Sequence, residues 1–218
     1  MVTRDRLTIA GYNGRPLKNS FFRQSDSINK LGIVFPGLAY GPQMPLLHYT
    51  ITTMIESGLN VLAVDYDYSN NPEFMKESQE LRSDWFMADI EAVVRVATTE
   101  ENQEVVCLAG KSLGTLAVGH LLETQEDLRD VKTIWLTPLL KNPQLLEQML
   151  AYIEEAVMVI GAKDQHYDSN IIDRLNAKTR LSGIVIERAD HSLEIEGDTT
   201  QTLQVLMQIV TIIQQFLA

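Results

Sequence analysis

Short, near-continuous apolar runs recur along the chain at residues 31–35, 60–64, 104–109, 131–136, 156–160 and 183–186. They are rich in Val and Ile and do not alternate with polar residues, which marks strands covered on both faces. Between them the apolar positions switch to helical spacing. Leu47, Ile51, Met54 and Ile55 form one such face, with Pro45 suited to a first helical turn. Leu81, Trp85, Phe86, Ile90, Val93, Val94 and Ala97 form a longer one. Leu113, Leu116, Ala117, His120 and Leu121 form a third, and Leu203, Leu206, Ile209, Val210, Ile213 and Phe216 the last. Strands alternating with helices predict an α/β fold with right-handed crossovers, that is, a three-layer α/β/α sandwich on a mostly parallel sheet. Residues 6–11 and 19–24 are weaker strand candidates, assigned to antiparallel edge strands. The stretch between the runs at 131–136 and 156–160 holds room for one short helix and no inserted lid domain. No linker, repeat or low-complexity segment interrupts the pattern, so residues 1–218 are read as a single domain.

Composition changes this picture little. The chain has 218 residues, 45% of them hydrophobic, enough for a sizeable core. A net charge of −11 at pH 7 repels phosphate backbones and anionic lipid surfaces, so neither nucleic acid nor membrane is an expected partner. The single cysteine, Cys107, lies inside an apolar run and reads as a buried strand residue; a lone thiol fits a reducing, cytoplasmic location. No secretory signal or long uncharged apolar stretch is apparent. Composition leaves the oligomeric state, monomer or homodimer, open.

The run at 104–109 leads straight into Gly110-Lys111-Ser112-Leu113-Gly114, and a helical pattern begins at once. G-x-S-x-G between a strand and a helix is the setting in which a serine sits on a sharp, strained turn with its hydroxyl lifted off the sheet. Glycines two residues either side let strand and helix approach without a Cβ clash. The amide of the following residue then lies at the positive end of a helix. A plain glycine turn with a helix-capping serine is the bland alternative. A phosphate-binding P-loop is excluded, because its first glycine would fall at Val105, inside a strand.

Three other strand ends carry noteworthy residues. The run at 31–35 ends in Pro36-Gly37-Leu38-Ala39-Tyr40-Gly41-Pro42. The run at 156–160 is followed by Gly161-Ala162-Lys163-Asp164-Gln165-His166-Tyr167-Asp168, and the run at 183–186 by Ala189-Asp190-His191-Ser192-Leu193. With the Gly110–Gly114 segment, these motifs resemble the α/β-hydrolase superfamily over roughly residues 30–218. The likeness is greatest to its compact, lidless bacterial members, such as dienelactone-hydrolase-like and small carboxylesterase proteins.

The resemblance implies a mostly parallel sheet of about eight strands and a serine hydrolase of the carboxylesterase or thioesterase type, using no cofactor and no metal. It implies Ser112 as nucleophile, and an acid and a base that follow in the order Asp, then His. A serine hydroxyl needs a neutral imidazole to take its proton, and the imidazole needs a carboxylate to fix its tautomer. His191 fits the base and Asp164 the acid, with Asp168 as fallback. The run at 131–136 is followed by Thr137-Pro138, with no carboxylate there to serve instead. The amides of Leu113 and Leu38 are the expected oxyanion donors, Pro36 standing where a histidine is common in this loop. His48 and His120 fall on helical patterns. His166 lines the site or is solvated, and a metal site at Asp164, His166 and Asp168 lacks a second ligand cluster.

The expected partner is a small-molecule acyl substrate. Wall candidates on the same sheet edge are Tyr40, Tyr66, Tyr68, Leu139, Leu140, His166 and Tyr167, though packing alone also explains each. Lys111 is the odd residue: it could attract an anionic substrate, point to solvent or pair with an acidic neighbour. The same fold could also serve a lyase or perhydrolase, or a ligand-binding or regulatory protein without turnover.

Overall fold

The computed structural model describes residues 1–24 and 28–218. Eight strands form one sheet in the order β1-β2-β4-β3-β5-β6-β7-β8. They are β1 (Thr3–Asp5), β2 (Asn19–Arg23), β3 (Lys30–Phe35), β4 (Asn60–Val64), β5 (Glu104–Lys111), β6 (Lys132–Leu136), β7 (Ala156–Gly161) and β8 (Leu181–Ile186). β1 and β2 pair antiparallel at one edge, and all pairings from β4 to β8 are parallel. β3 to β7 are buried almost throughout, as their unbroken apolar runs require.

Two hydrophobic cores lie on opposite faces of this sheet. One joins α1 (Pro45–Glu56) to α7 (Thr199–Leu217) through Leu47, Ile51, Met54, Val205, Ile209 and Ile213. The other is closed by α3 (Gln79–Arg95), α4 (Leu113–Thr124) and α5 (Pro143–Tyr152), through side chains such as Trp85, Ile90, Leu121 and Leu145. α5 is the one helix between β6 and β7, and no lid is inserted there. Cys107 is fully buried, and burial pushes its thiol up to about 12. No helix among the described residues is long and apolar enough to cross a membrane.

Residues 6–11 are not the strand their sequence suggests. Both backbone groups of Leu7 bond to the side-chain amide of Asn19, so a side chain takes the place of a ladder. The edge strand is instead β1, just upstream. Downstream the chain turns at Gly11–Arg15 and is pinned to α3 by a buried carboxylate. Asp89 accepts the amide of Tyr12 at 2.7 Å and the hydroxyl of Tyr68 at 2.6 Å. Burial raises its pKa against the pull of those donors.

Two helices are not anticipated by the apolar pattern, α2 (Pro72–Lys76) and α6 (Ser169–Lys178). Side chains start both. Asn71 accepts from the amides of Glu73 and Phe74, and Asp168 from those of Asn170 and Ile171. Asp168 is thereby a helix cap and not a partner for an imidazole.

Candidate active site

The C-terminal ends of β3, β5, β7 and β8 bring four loops to one edge of the sheet, where open α/β sheets place their sites. Ser112 follows β5 with φ 51° and ψ −113°, a left-handed conformation unfavourable to a residue with a Cβ. The surroundings hold it there. Its amide donates to Leu136 O at 3.0 Å, and its carbonyl accepts from Thr115 N and Thr115 Oγ1 at 2.9 and 2.6 Å. The flanking glycines are required by packing. A Cβ on Gly110 would collide with the Gly114 carbonyl, and one on Gly114 with the carbonyl of Phe35 in β3.

The three side chains expected to meet do so. Ser112 Oγ lies 2.8 Å from His191 Nε2, and His191 Nδ1 lies 2.7 Å from Asp164 Oδ2. A carboxylate only accepts, so Nδ1 carries the proton, and in the neutral ring Nε2 is left to accept from the hydroxyl. The other oxygen of Asp164 accepts the amide of His166 at 2.8 Å. The Asp164 carboxyl is sealed from solvent, whereas the His191 side chain is 31% exposed.

The loop bearing His191 is shaped by its neighbour. Asp190 Oδ1 accepts the amides of Ser192 and Glu194, closing a tight turn. The carbonyl of Ala189 takes the amide of Lys163, which ties this loop to the one bearing Asp164.

Leu38 and Leu113 border the same space. Neither amide donates to an acceptor among the described residues, and Leu113 is the first residue of α4, where an amide has no partner within its helix. The Leu38 loop is braced from behind. Gly37 N donates to Tyr40 O, the Tyr40 hydroxyl accepts the amide of Leu46, and the Tyr66 hydroxyl donates to Pro36 O at 2.8 Å. Burial raises the pKa of both phenols.

A cavity of about 460 Å3 opens at Leu38 and Leu113. Its further wall comes from α2, α3 and α5, including Phe74, Phe86, Met87 and Leu145. Tyr40, Tyr66, Leu139 and His166 do not line it. Tyr40 and Tyr66 spend their hydroxyls on backbone groups and border a second cavity of about 610 Å3 that shares Leu38. Leu139 donates its amide toward Thr115 Oγ1 at 3.5 Å, beside the turn. His166 stands by His191, ring centroids 5.5 Å apart, with its pKa lowered mainly by burial.

Arg82 is the one charged side chain in the wall of the first cavity, and its Nε is buried without a hydrogen-bond partner among the described residues. The helix was legible from an apolar face that includes Phe86, but nothing in the sequence singles out Arg82 or Met87 or tells which face of α3 overlooks Ser112. His120 bonds Glu91 at 3.0 Å, and His48 lies on the exposed side of α1; neither bonds to Ser112, His191 or Asp164. Among the described residues no group of three or more His, Cys, Asp and Glu side chains is gathered as a metal would need.

Residues 37–218 match the family model described as an alpha/beta hydrolase domain. No curated protein matches the chain. Solved structures with the same fold include a lidless α/β serine hydrolase from Xanthomonas campestris, 16% identical with a TM-score of 0.69, over 98% of this chain and 93% of that one. An esterase from Pyrococcus furiosus is 13% identical with a TM-score of 0.70, over 100% and 94%. A dienelactone hydrolase from Anabaena variabilis is 15% identical with a TM-score of 0.64, over 99% and 96%.

Proposed function

The chain belongs to the α/β-hydrolase family, and on that premise we propose that it is a serine hydrolase cleaving small-molecule esters or thioesters through an acyl-enzyme on Ser112. One observation carries the reading: the unbroken hydrogen-bonded line from Ser112 Oγ through His191 to a sealed Asp164, beside two amides that meet no acceptor among the described residues.

The chemistry follows from that line. Ser112 Oγ bonds to the acyl carbon while His191 Nε2 takes its proton, and the carbonyl π pair moves onto oxygen. The Leu38 and Leu113 amides, which border the same cavity, receive that oxyanion. Asp164 keeps Nδ1 protonated and offsets the imidazolium charge. As the carbonyl reforms, the leaving alkoxide or thiolate takes the proton from Nε2. A water molecule then adds by the same route, its proton passing to His191 and on to Ser112 as the acid departs.

The cavity beside the donors supports a modest acyl or aryl group, since its volume and partly apolar wall suit one. A fluorophosphonate probe tests the reading. It should label the wild type and fail to label Ser112→Ala. Folded wild-type protein that takes up no label, and hydrolyses neither p-nitrophenyl butyrate nor its thioester counterpart, would end it.

A further inference from the structure

Lys111, the last residue of β5, is 2% exposed although it carries an ammonium. It does not point to solvent or pair with an acid: among the described residues no carboxylate lies within ion-pairing distance. Its Nζ donates to the backbone carbonyl of His191 at 3.1 Å and stands 4.7 Å from the centre of the Tyr40 ring. Its stem packs on Gly37, where an added Cβ would come within 3.3 Å of Lys111 Cδ.

The side chain therefore ties two loops to its own strand end. Tyr40 and Gly37 belong to the loop of Leu38, His191 to the loop after β8, and Lys111 itself precedes Ser112 in the chain. We propose that Lys111 is a positioning residue, which locks the His191 loop to the strand end carrying Ser112 and so sets the hydroxyl–imidazole distance. This rests on the roles given above to Ser112 and His191.

Physical reasons favour this assignment. The segment between β8 and α7 has no regular secondary structure, and its turn is closed locally by Asp190. The Lys111 bond joins the base's own backbone to the nucleophile's strand. A charged donor makes such a bond roughly twice as strong as a neutral one. The ring face of Tyr40 offsets part of the lost hydration.

The charge is costly all the same. Burial pushes the lysine down to about 8, opposed by Asp164 after β7 and Asp190 after β8. The other titratable groups close by are His191, His166 and Tyr40. Deprotonated Lys111 keeps only a neutral, weaker hold on the carbonyl.

Lys111→Met and Lys111→Arg decide the matter, assayed with p-nitrophenyl butyrate from pH 6 to 10. Removing a cation near His191 would by simple electrostatics ease imidazolium formation and raise kcat. Lost positioning does the opposite. Lys111→Met should lower kcat at pH 7 by about tenfold to a hundredfold, with KM within about threefold and a melting temperature no lower than wild type. The wild type should lose activity with a midpoint near pH 8, and that limb should be absent from both variants. Lys111→Arg, charged throughout, should keep more activity than Lys111→Met, and it decides alone if the Met variant does not fold.

An unchanged or raised kcat in Lys111→Met overturns the proposal, as does an alkaline limb that persists in Lys111→Arg. Fluorophosphonate labelling separates the two failures. A labelled wild type with an unaffected Met variant rejects only Lys111, whereas an unlabelled wild type rejects the roles of Ser112 and His191 as well.

Discussion

Two carboxylates are buried among the described residues, and their hydrogen bonds lead to different ends. Asp89, 2% exposed on α3, accepts from a main-chain amide and a phenol. Asp164, 5% exposed after β7, accepts from a main-chain amide and an imidazole. The two differ in one donor. The Tyr68 phenol is itself buried in an aromatic cluster, so the Asp89 network ends there and its product is a fixed N-terminal segment. The His191 ring is partly exposed and has a second nitrogen, so the Asp164 network continues to the part-buried hydroxyl of Ser112. Burial of an acid is thus no sign of chemistry by itself; what matters is whether its partner has a free end.

The sharpest way to break the comparison is to remove the free end. Ser112→Ala should abolish ester hydrolysis, a loss on the order of 10^5 to 10^6 in kcat, with His191→Ala close behind because the groups act as a unit. Asp164→Asn should lower kcat by about 10^4, since an amide can present its N–H to the ring and favour the wrong tautomer. Asp89→Asn makes the same chemical change and should leave kcat within about threefold of wild type. Parallel kcat measurements on the two Asn variants decide it. Equal losses would mean that Asp89 reaches the site or that Asp164 merely holds the fold.

Stability should sort the pair in the opposite sense. Asn at position 89 turns an NH2 toward one of two buried donors, which costs about 1–3 kcal/mol. The pH dependence follows from the raised pKa of Asp89. Between its ordinary value of 3.8 and the raised one, the folded protein binds more protons than the unfolded chain. Wild-type stability from this group therefore falls as pH rises through that window and is level above it. Urea unfolding of wild type and Asp89→Asn from pH 4 to 7 should show a difference that narrows with rising pH. A difference that widens would reverse the assignment.

The same contrast explains what could be read in advance. The strand ends carrying Ser112, Asp164 and His191 lie in continuous apolar runs, and a parallel sheet brings all such ends to one edge. Strand position is a local property, and the order Ser, Asp, His is what the resemblance to α/β-hydrolases implies, so these residues were legible. Asp168 and the Leu7 segment were not, because both are settled by a side chain taking backbone partners, Asp168 as a cap and Asn19 in place of a ladder. Tyr40 and Tyr66 fall on the correct edge, but their hydroxyls brace the Leu38 loop instead of facing the cavity at Leu113. The wall of that cavity comes from helices distant in sequence, and the azimuth of a helix about its axis is a product of packing.

That wall yields the smallest effect. An arginine nitrogen buried without a partner among the described residues costs free energy until something accepts from it. Among the described residues Arg82 is the only charged one around a space that begins at the two candidate oxyanion donors, on a chain whose net charge of −11 would otherwise repel anions. A carboxylate at the far end of the acyl group would give the guanidinium that acceptor. Monoaryl glutarate should then show a lower KM than the neutral aryl ester of equal chain length. Arg82→Gln should raise the KM for the anionic ester by about tenfold, a cost of about 1.4 kcal/mol, and leave the neutral ester within twofold. Equal changes for both esters would assign Arg82 to packing, and would leave the apolar part of the wall as the sole source of selectivity.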